Sequence, residues 1–235
     1  MRNNKKKWIA VGLALIILLV SNLSNVGNET KEEIGKTYIN KLSKEALMDT
    51  EVLRGTNNKE KIRVVNLNGV IQSDSNNEFV IDQLRSCGED PTTKGVILAV
   101  NSPGGSVYVS EQIAKEIKNL KEKGIKVYSV MEEMAASGGY YVSAPTDRIY
   151  ASNETLTGSI GVIMQMYSLE GLFDKYGIKE QNITSGKMKD AGSPGRDLTD
   201  EERKYFEGLI NSAYKRFVKL VSEGRNMSED KVRKI

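Results

Sequence analysis

Ser137 stands among small residues in Met134-Ala135-Ala136-Ser137-Gly138-Gly139-Tyr140-Tyr141, where the pattern turns from strand to helix. A hydroxyl placed there meets the free N–H groups and the positive dipole end of a helix N-terminus, which favour a developing oxyanion. The same residues also suit a plain helix cap followed by packing glycines. A second group, Asn101-Ser102-Pro103-Gly104-Gly105-Ser106, follows an apolar strand and precedes a helix, where α/β sheets present ligand-binding loops. Its glycine N–H groups suit a carbonyl oxygen, and its Pro and Gly equally suit an ordinary chain reversal. A third group, Thr184-Ser185-Gly186-Lys187-Met188-Lys189-Asp190, offers two lysines, and a lysine made neutral by burial serves as a base for serine. Spacing does not choose between Lys187 and Lys189.

Composition narrows the chemistry. The 235 residues include no histidine and one cysteine, Cys87. This excludes zinc sites of Cys and His, Ser–His–Asp and Cys–His catalysis, and any intrachain disulfide. Acid–base work falls to Lys, Asp, Glu or Tyr. Cys87 follows an apolar stretch with helical spacing and reads as a packing residue. Net charge is +3, and four of the positives are Arg2, Lys5, Lys6 and Lys7. The rest is nearly neutral, so no nucleic-acid partner is expected.

The elements that must position these residues read as α/β. Lys61 to Ile71 is a β-branched strand, and Phe79, Ile81 and Leu84 suit a helix after it. Lys94 to Val100 is an apolar strand of the kind covered by helices on both faces, and Lys126 to Val130 is another buried strand. With an amphipathic helix at Val107–Leu120 between them, they form a βαβ unit and hence a parallel sheet. Beyond it the pattern predicts a glycine-containing helix over Met134–Ala144, strands at Arg148–Ala151 and Lys179–Thr184, a further strand or turn at Gly158–Met164, and a short helix over Leu169–Tyr176. A long helix from Asp200 to about Glu223 is opened by Thr199 with Glu202 three residues on.

The N-terminus reads as a targeting or anchoring segment: a basic stretch at residues 1–7, then Trp8 to Val20 without a charge. With no clear cleavage site after it, an uncleaved anchor over residues 8–23 is expected, N-terminus inside and body outside the membrane. Residues 24–60 form a linker with a modest helix at Ile34, Tyr38, Leu42 and Ala46, and 61–235 the main domain. The helical pattern opening at Ser228 has no terminating signal, so a C-terminal truncation is expected.

Together these motifs resemble the bacterial signal peptide peptidases of the Ser–Lys type, peptidase family S49. The resemblance runs from Lys61 to Arg225 and includes Asn-Ser-Pro-Gly-Gly, Met-Ala-Ala-Ser-Gly-Gly-Tyr-Tyr, Leu-Thr-Gly-Ser-Ile-Gly-Val and Ser-Gly-x-x-Lys-Asp in that order. It implies a Clp protease/crotonase-like fold of stacked ββα units and a membrane-anchored serine endopeptidase. By this resemblance Ser137 is the nucleophile, Lys189 its base, Ser159 the residue holding the lysine amine, and Gly104 and Gly138 the oxyanion donors. It also implies hydrophobic peptide substrates such as cleaved signal peptides, and a homo-oligomeric ring in which neighbours share a site, with no cofactor and no metal. Family members usually continue beyond the point where this chain stops. Two alternatives are a crotonase-like acyl-CoA-binding enzyme and a membrane-tethered assembly protein with impaired catalysis; neither has a use for Ser137, Ser159 and Lys189 together.

Overall fold

The computed structural model describes residues 52–55 and 59–235. The chain divides into two compact units, Met1–Thr56 and Asn57–Ile235. The expected anchor and linker helix lie outside the described residues, apart from the irregular stretch at 52–55, where Val52 and Leu53 are exposed. Among the described residues no helix is long and apolar enough to cross a membrane.

The second unit is mixed α/β around a parallel sheet. Strands β1 (Lys61–Asn68), β2 (Thr93–Ser102), β3 (Lys126–Ala136) and β4 (Arg148–Ala151) lie in that order, and β5 (Leu156–Gly158) pairs with the end of β3. Every pairing is parallel. Such strands need crossovers, supplied by α1 (Ser75–Glu89) and α2 (Val107–Glu122). Each helix starts where a side chain takes over an orphan N–H: Asp74 accepts from Asn77, and Ser106 from Val109. The core between sheet and helices holds Val65, Leu67, Leu84, Leu98, Ile113, Ile117 and Val127. Cys87 is buried in it, and burial pushes its thiol up to about 11, as expected of a packing residue.

β2 is buried along nearly all its length, as its apolar run predicts, although its flanking strands leave Ile62, Val64, Tyr128 and Tyr150 exposed on the face opposite α1 and α2. One expectation about the sheet needs correction. The helix predicted over Met134–Ala144 begins only at Gly138: β3 continues to Ala136 because β5 supplies partners for Met134, Ala135 and Ala136. Short apolar residues fit either state, so pairing decides.

The short α3 (Gly138–Ser143) follows, and Tyr141 and Ala144 join Phe217, Val218 and Val221 of α5 (Asp200–Arg225) and Val232 of α6 (Glu229–Val232) in a second core. Tyr141 meets Phe217 edge to face at 5.0 Å. Between β5 and α5 lies a long stretch whose only regular element is α4 (Glu170–Tyr176). At Gly158–Met164, expected as strand or turn, the strand ends with β5. That expected at Lys179–Thr184 is absent, because Glu180 and Asn182 bond to Ser193 and Asp190 within the loop.

α5 starts as its sequence predicts, with Thr199 and Glu202 exchanging bonds in a capping box. Glu202 is buried, and its carboxylate also receives a bidentate Arg196 guanidinium at 2.8 and 2.6 Å. That bond, then the Thr199 N–H, holds the carboxyl down to about 2. A carboxyl with a depressed folded value stabilises the fold above its unfolded value of about 4.3 and loses that contribution as pH falls through the folded value. Glu202→Gln should therefore lower the urea midpoint most above about pH 5, with the gap to wild type closing towards pH 2. A gap constant across that range would contradict the assignment.

Candidate active site

Ser137 occupies the single residue between β3 and α3, at φ 52° and ψ −116°. An L-residue rarely adopts a left-handed φ, and holding one there costs about 1–3 kcal/mol. A sharp strand-to-helix turn of this kind lifts a serine out of the sheet and exposes its hydroxyl. The strain is opposed by two backbone bonds, Ser137 N–H to Gly158 O at 2.9 Å and Tyr141 N–H to Ser137 O at 2.8 Å. Although Ser137 sits at the N-cap position, its side chain makes no capping bond. The hydroxyl is half-buried and uncommitted, which separates it from the plain helix cap that the motif also suits.

Beneath it α3 is tied to the sheet through hydroxyls: Ser129 donates to Ser143, Ser143 to the Gly139 carbonyl, and Thr146 to the Ser143 carbonyl. Gly138 opens α3, where an N–H has no acceptor within the helix. The Asn101–Ser106 turn packs directly against this point. Gly104 has φ +97°, and a Cβ built on it would lie 2.6 Å from the Gly138 nitrogen and 2.7 Å from Ser137 Cβ. Gly105 has φ +151°, and a Cβ there would run into the Ile71 carbonyl oxygen. Both glycines are thus required by backbone approach. Their N–H groups differ in use: Gly104 donates to Ser102 Oγ at 3.1 Å, whereas Gly105 is exposed and makes no hydrogen bond. The sequence offers both glycines as donors and the resemblance picks Gly104; the Ser102 bond leaves the Gly105 N–H the freer of the two.

Ser159 follows Gly158, the register partner of Ala136, so it continues the line that carries Ser137. It is exposed and has φ 53°. Ser137, Gly104, Gly138 and the Ser159 backbone therefore converge on one end of β3. Burial raises the phenols of Tyr140 and Tyr141, taking both away from the range of a useful base.

Neither lysine side chain bonds to this cluster among the described residues. Lys187 pairs with Glu201 at 2.5 Å. Lys189 is exposed and its side chain makes no hydrogen bond or ion pair among the described residues. Both belong to an arm, residues 161–202, in which every side-chain hydrogen bond and ion pair stays within the arm. No residue between Asp147 and Glu201 is buried. Large apolar side chains, including Ile163, Tyr167, Tyr176 and Ile183, stand in solvent.

Two family profiles match: Clp protease over residues 50–154 and Peptidase family S49 over residues 119–235. A protein of Enterococcus faecium named as a signal peptide peptidase, SppA, is 39% identical over 99% of this chain and 72% of its own length. The chain belongs to peptidase family S49. It is a serine peptidase, and its parallel α/β sheet fits the Clp protease match. Membership separates it from the acyl-CoA-binding alternative. It is also 36% identical to Protease 4 of Haemophilus influenzae over 74% of the chain, and to a chloroplastic serine protease, SPPA, of Arabidopsis thaliana over 67%. It spans 29% and 23% of those two relatives' lengths.

Gly104→Ala should force the turn away from Ser137 and Gly138. Peptidase activity should fall by about a hundredfold or more, with a lower melting temperature. Wild-type kcat in this variant would mean that the approach of the two loops is irrelevant to the chemistry.

Proposed function

We propose that this chain is a membrane-anchored endopeptidase acting through a Ser137–Lys189 dyad assembled between copies of the chain. The observation that carries this reading is the contrast between the two partners. Ser137 is strained, uncommitted and beside the Gly138 N–H, while Lys189 sits unpaired on an arm that makes no polar side-chain bond to the body carrying Ser137.

The reaction follows from these positions. Lys189 takes the Ser137 proton, and Oγ attacks the scissile carbonyl. The oxyanion is held by N–H groups of Gly138 and of the Gly104–Gly105 turn, and the amine leaves with a proton from Lys189. Water, deprotonated by Lys189, then releases the acyl group and restores Ser137. Ser159 orients the lysine amine. A lysine works as a base only when taken out of water. The exposed position of Lys189 therefore calls for a covering surface, and the apolar side chains of the arm suit burial against a neighbouring copy in a homo-oligomeric ring.

The Clp protease match supports a scaffold of stacked ββα units. Hydrophobic peptides such as cleaved signal peptides are the proposed substrates, in line with the relative from Enterococcus faecium. The apolar run Trp8–Val20 behind four basic residues supports a single-pass anchor with the catalytic unit on the extracytoplasmic side. No nucleic acid, cofactor or metal enters this reaction.

Ser137→Ala and Lys189→Ala should each abolish hydrolysis of a hydrophobic peptide while leaving the circular dichroism spectrum unchanged. Co-expressed in one cell, the two inactive variants should recover about a quarter of the wild-type rate, because some sites then pair an intact serine with an intact lysine from different copies. No recovery in a well-formed mixed oligomer would place both residues in one copy, and full activity of either single variant would remove the dyad.

A further inference from the structure

We infer that Arg196 is a positioning residue for Lys189, fastening the lysine's loop to the start of α5. This rests on Lys189 being the base. The arm has no buried residue before Glu202, so polar contacts carry much of its fixing, and several of them meet at Arg196. Its guanidinium holds Glu202 with two bonds, at 2.8 and 2.6 Å, and reaches Asp190, the residue after Lys189, at 3.4 Å. Glu202 is itself immobilised, buried to 2% exposure and locked to Thr199 in the capping box. On the other side of the loop Glu180 accepts from Ser193 Oγ at 2.8 and 2.7 Å. A Cβ on Gly195 would displace the Glu180 carboxylate, so a side chain there would disturb the Glu180–Ser193 bond.

The anchor has a mechanical consequence. α5 docks through Phe217 on Tyr141 of α3, whose N–H is bonded to the Ser137 carbonyl. A continuous path thus runs from the packed body of one copy through α3 and α5 to Glu202, Arg196, Asp190 and the lysine backbone, and so sets where that copy presents its lysine to the neighbour's serine. A rigid helix transmits position along its length, and the loop's other contacts with it include the Lys187–Glu201 ion pair and the approach of Gly192 to Phe206. Arg fits this place better than Lys because its planar fork engages one carboxylate bidentately while leaving an N–H for the other.

The test uses the full chain in its native oligomer. Arg196→Ala should lower kcat by about ten- to a hundredfold with KM within about twofold of wild type, and should speed amide hydrogen exchange across residues 186–193. Asp190→Asn cuts only the leg to the loop and should show the same pattern more weakly if Arg196→Ala fails to fold. Arg196→Lys should recover only part of kcat. Lys189→Ala serves as the separate check: if it keeps activity, the base is wrong. If Lys189→Ala is inactive while Arg196→Ala or Asp190→Asn keeps wild-type kcat, the positioning role is overturned and the base stands. Unchanged exchange at residues 186–193 in either variant overturns it as well.

Discussion

Ser137 holds a left-handed backbone between a strand and a helix, a conformation that an L-residue leaves unless its neighbours prevent it. Three features prevent it here. β5 offers the Gly158 carbonyl to the Ser137 N–H, the first turn of α3 claims the Ser137 carbonyl, and the Gly104 turn closes over the top with no room for a side chain. Each depends on a larger piece of the fold. β5 must pair with the end of β3, α3 must be pinned by Ser143, and β2 must end where Gly104 can reach Gly138. The parallel sheet supplies this because β2 and β3 run side by side and deliver both loops to the same edge.

A second constraint acts on the arm that carries Lys189, the proposed base. The arm from 161 to 202 is held by charge and hydrogen bonds, with its apolar side chains turned outward. Exposed apolar side chains in such number are what the proposed assembly would cover. The catalytic unit therefore joins a rigid, densely packed nucleophile end to a polar knot that carries the lysine, with α5 as the link between them.

Much of the framework is legible in the residues. β1, β2 and α2 announce themselves by β-branched runs and helical spacing, and Thr199 with Glu202 marks the start of α5 to the residue. The misreadings share a cause, since contacts distant in sequence decide them. Met134–Ala136 reads as helix until β5 is seen to pair with it, and Lys179–Thr184 reads as strand until Glu180 is seen to bond Ser193. At the site, Ser137 and Gly138 are legible as a strand–helix junction, but the positive φ is not, because nothing about a serine demands it. Arg196, and the choice between the Gly104 and Gly105 N–H groups, are hidden for another reason: they depend on which neighbours are already engaged, Ser102 with Gly104 and Glu202 with Thr199.

The identity of the nucleophile bears most directly on this account, and a serine-directed acylating probe reads it. After treatment of the native protein and proteolytic digestion, mass spectrometry should find the label on the peptide containing Ser137 and on no other serine, with labelling and loss of peptidase activity proceeding together. A label on Ser159 or Ser185, or full inactivation with Ser137 unmodified, would contradict it.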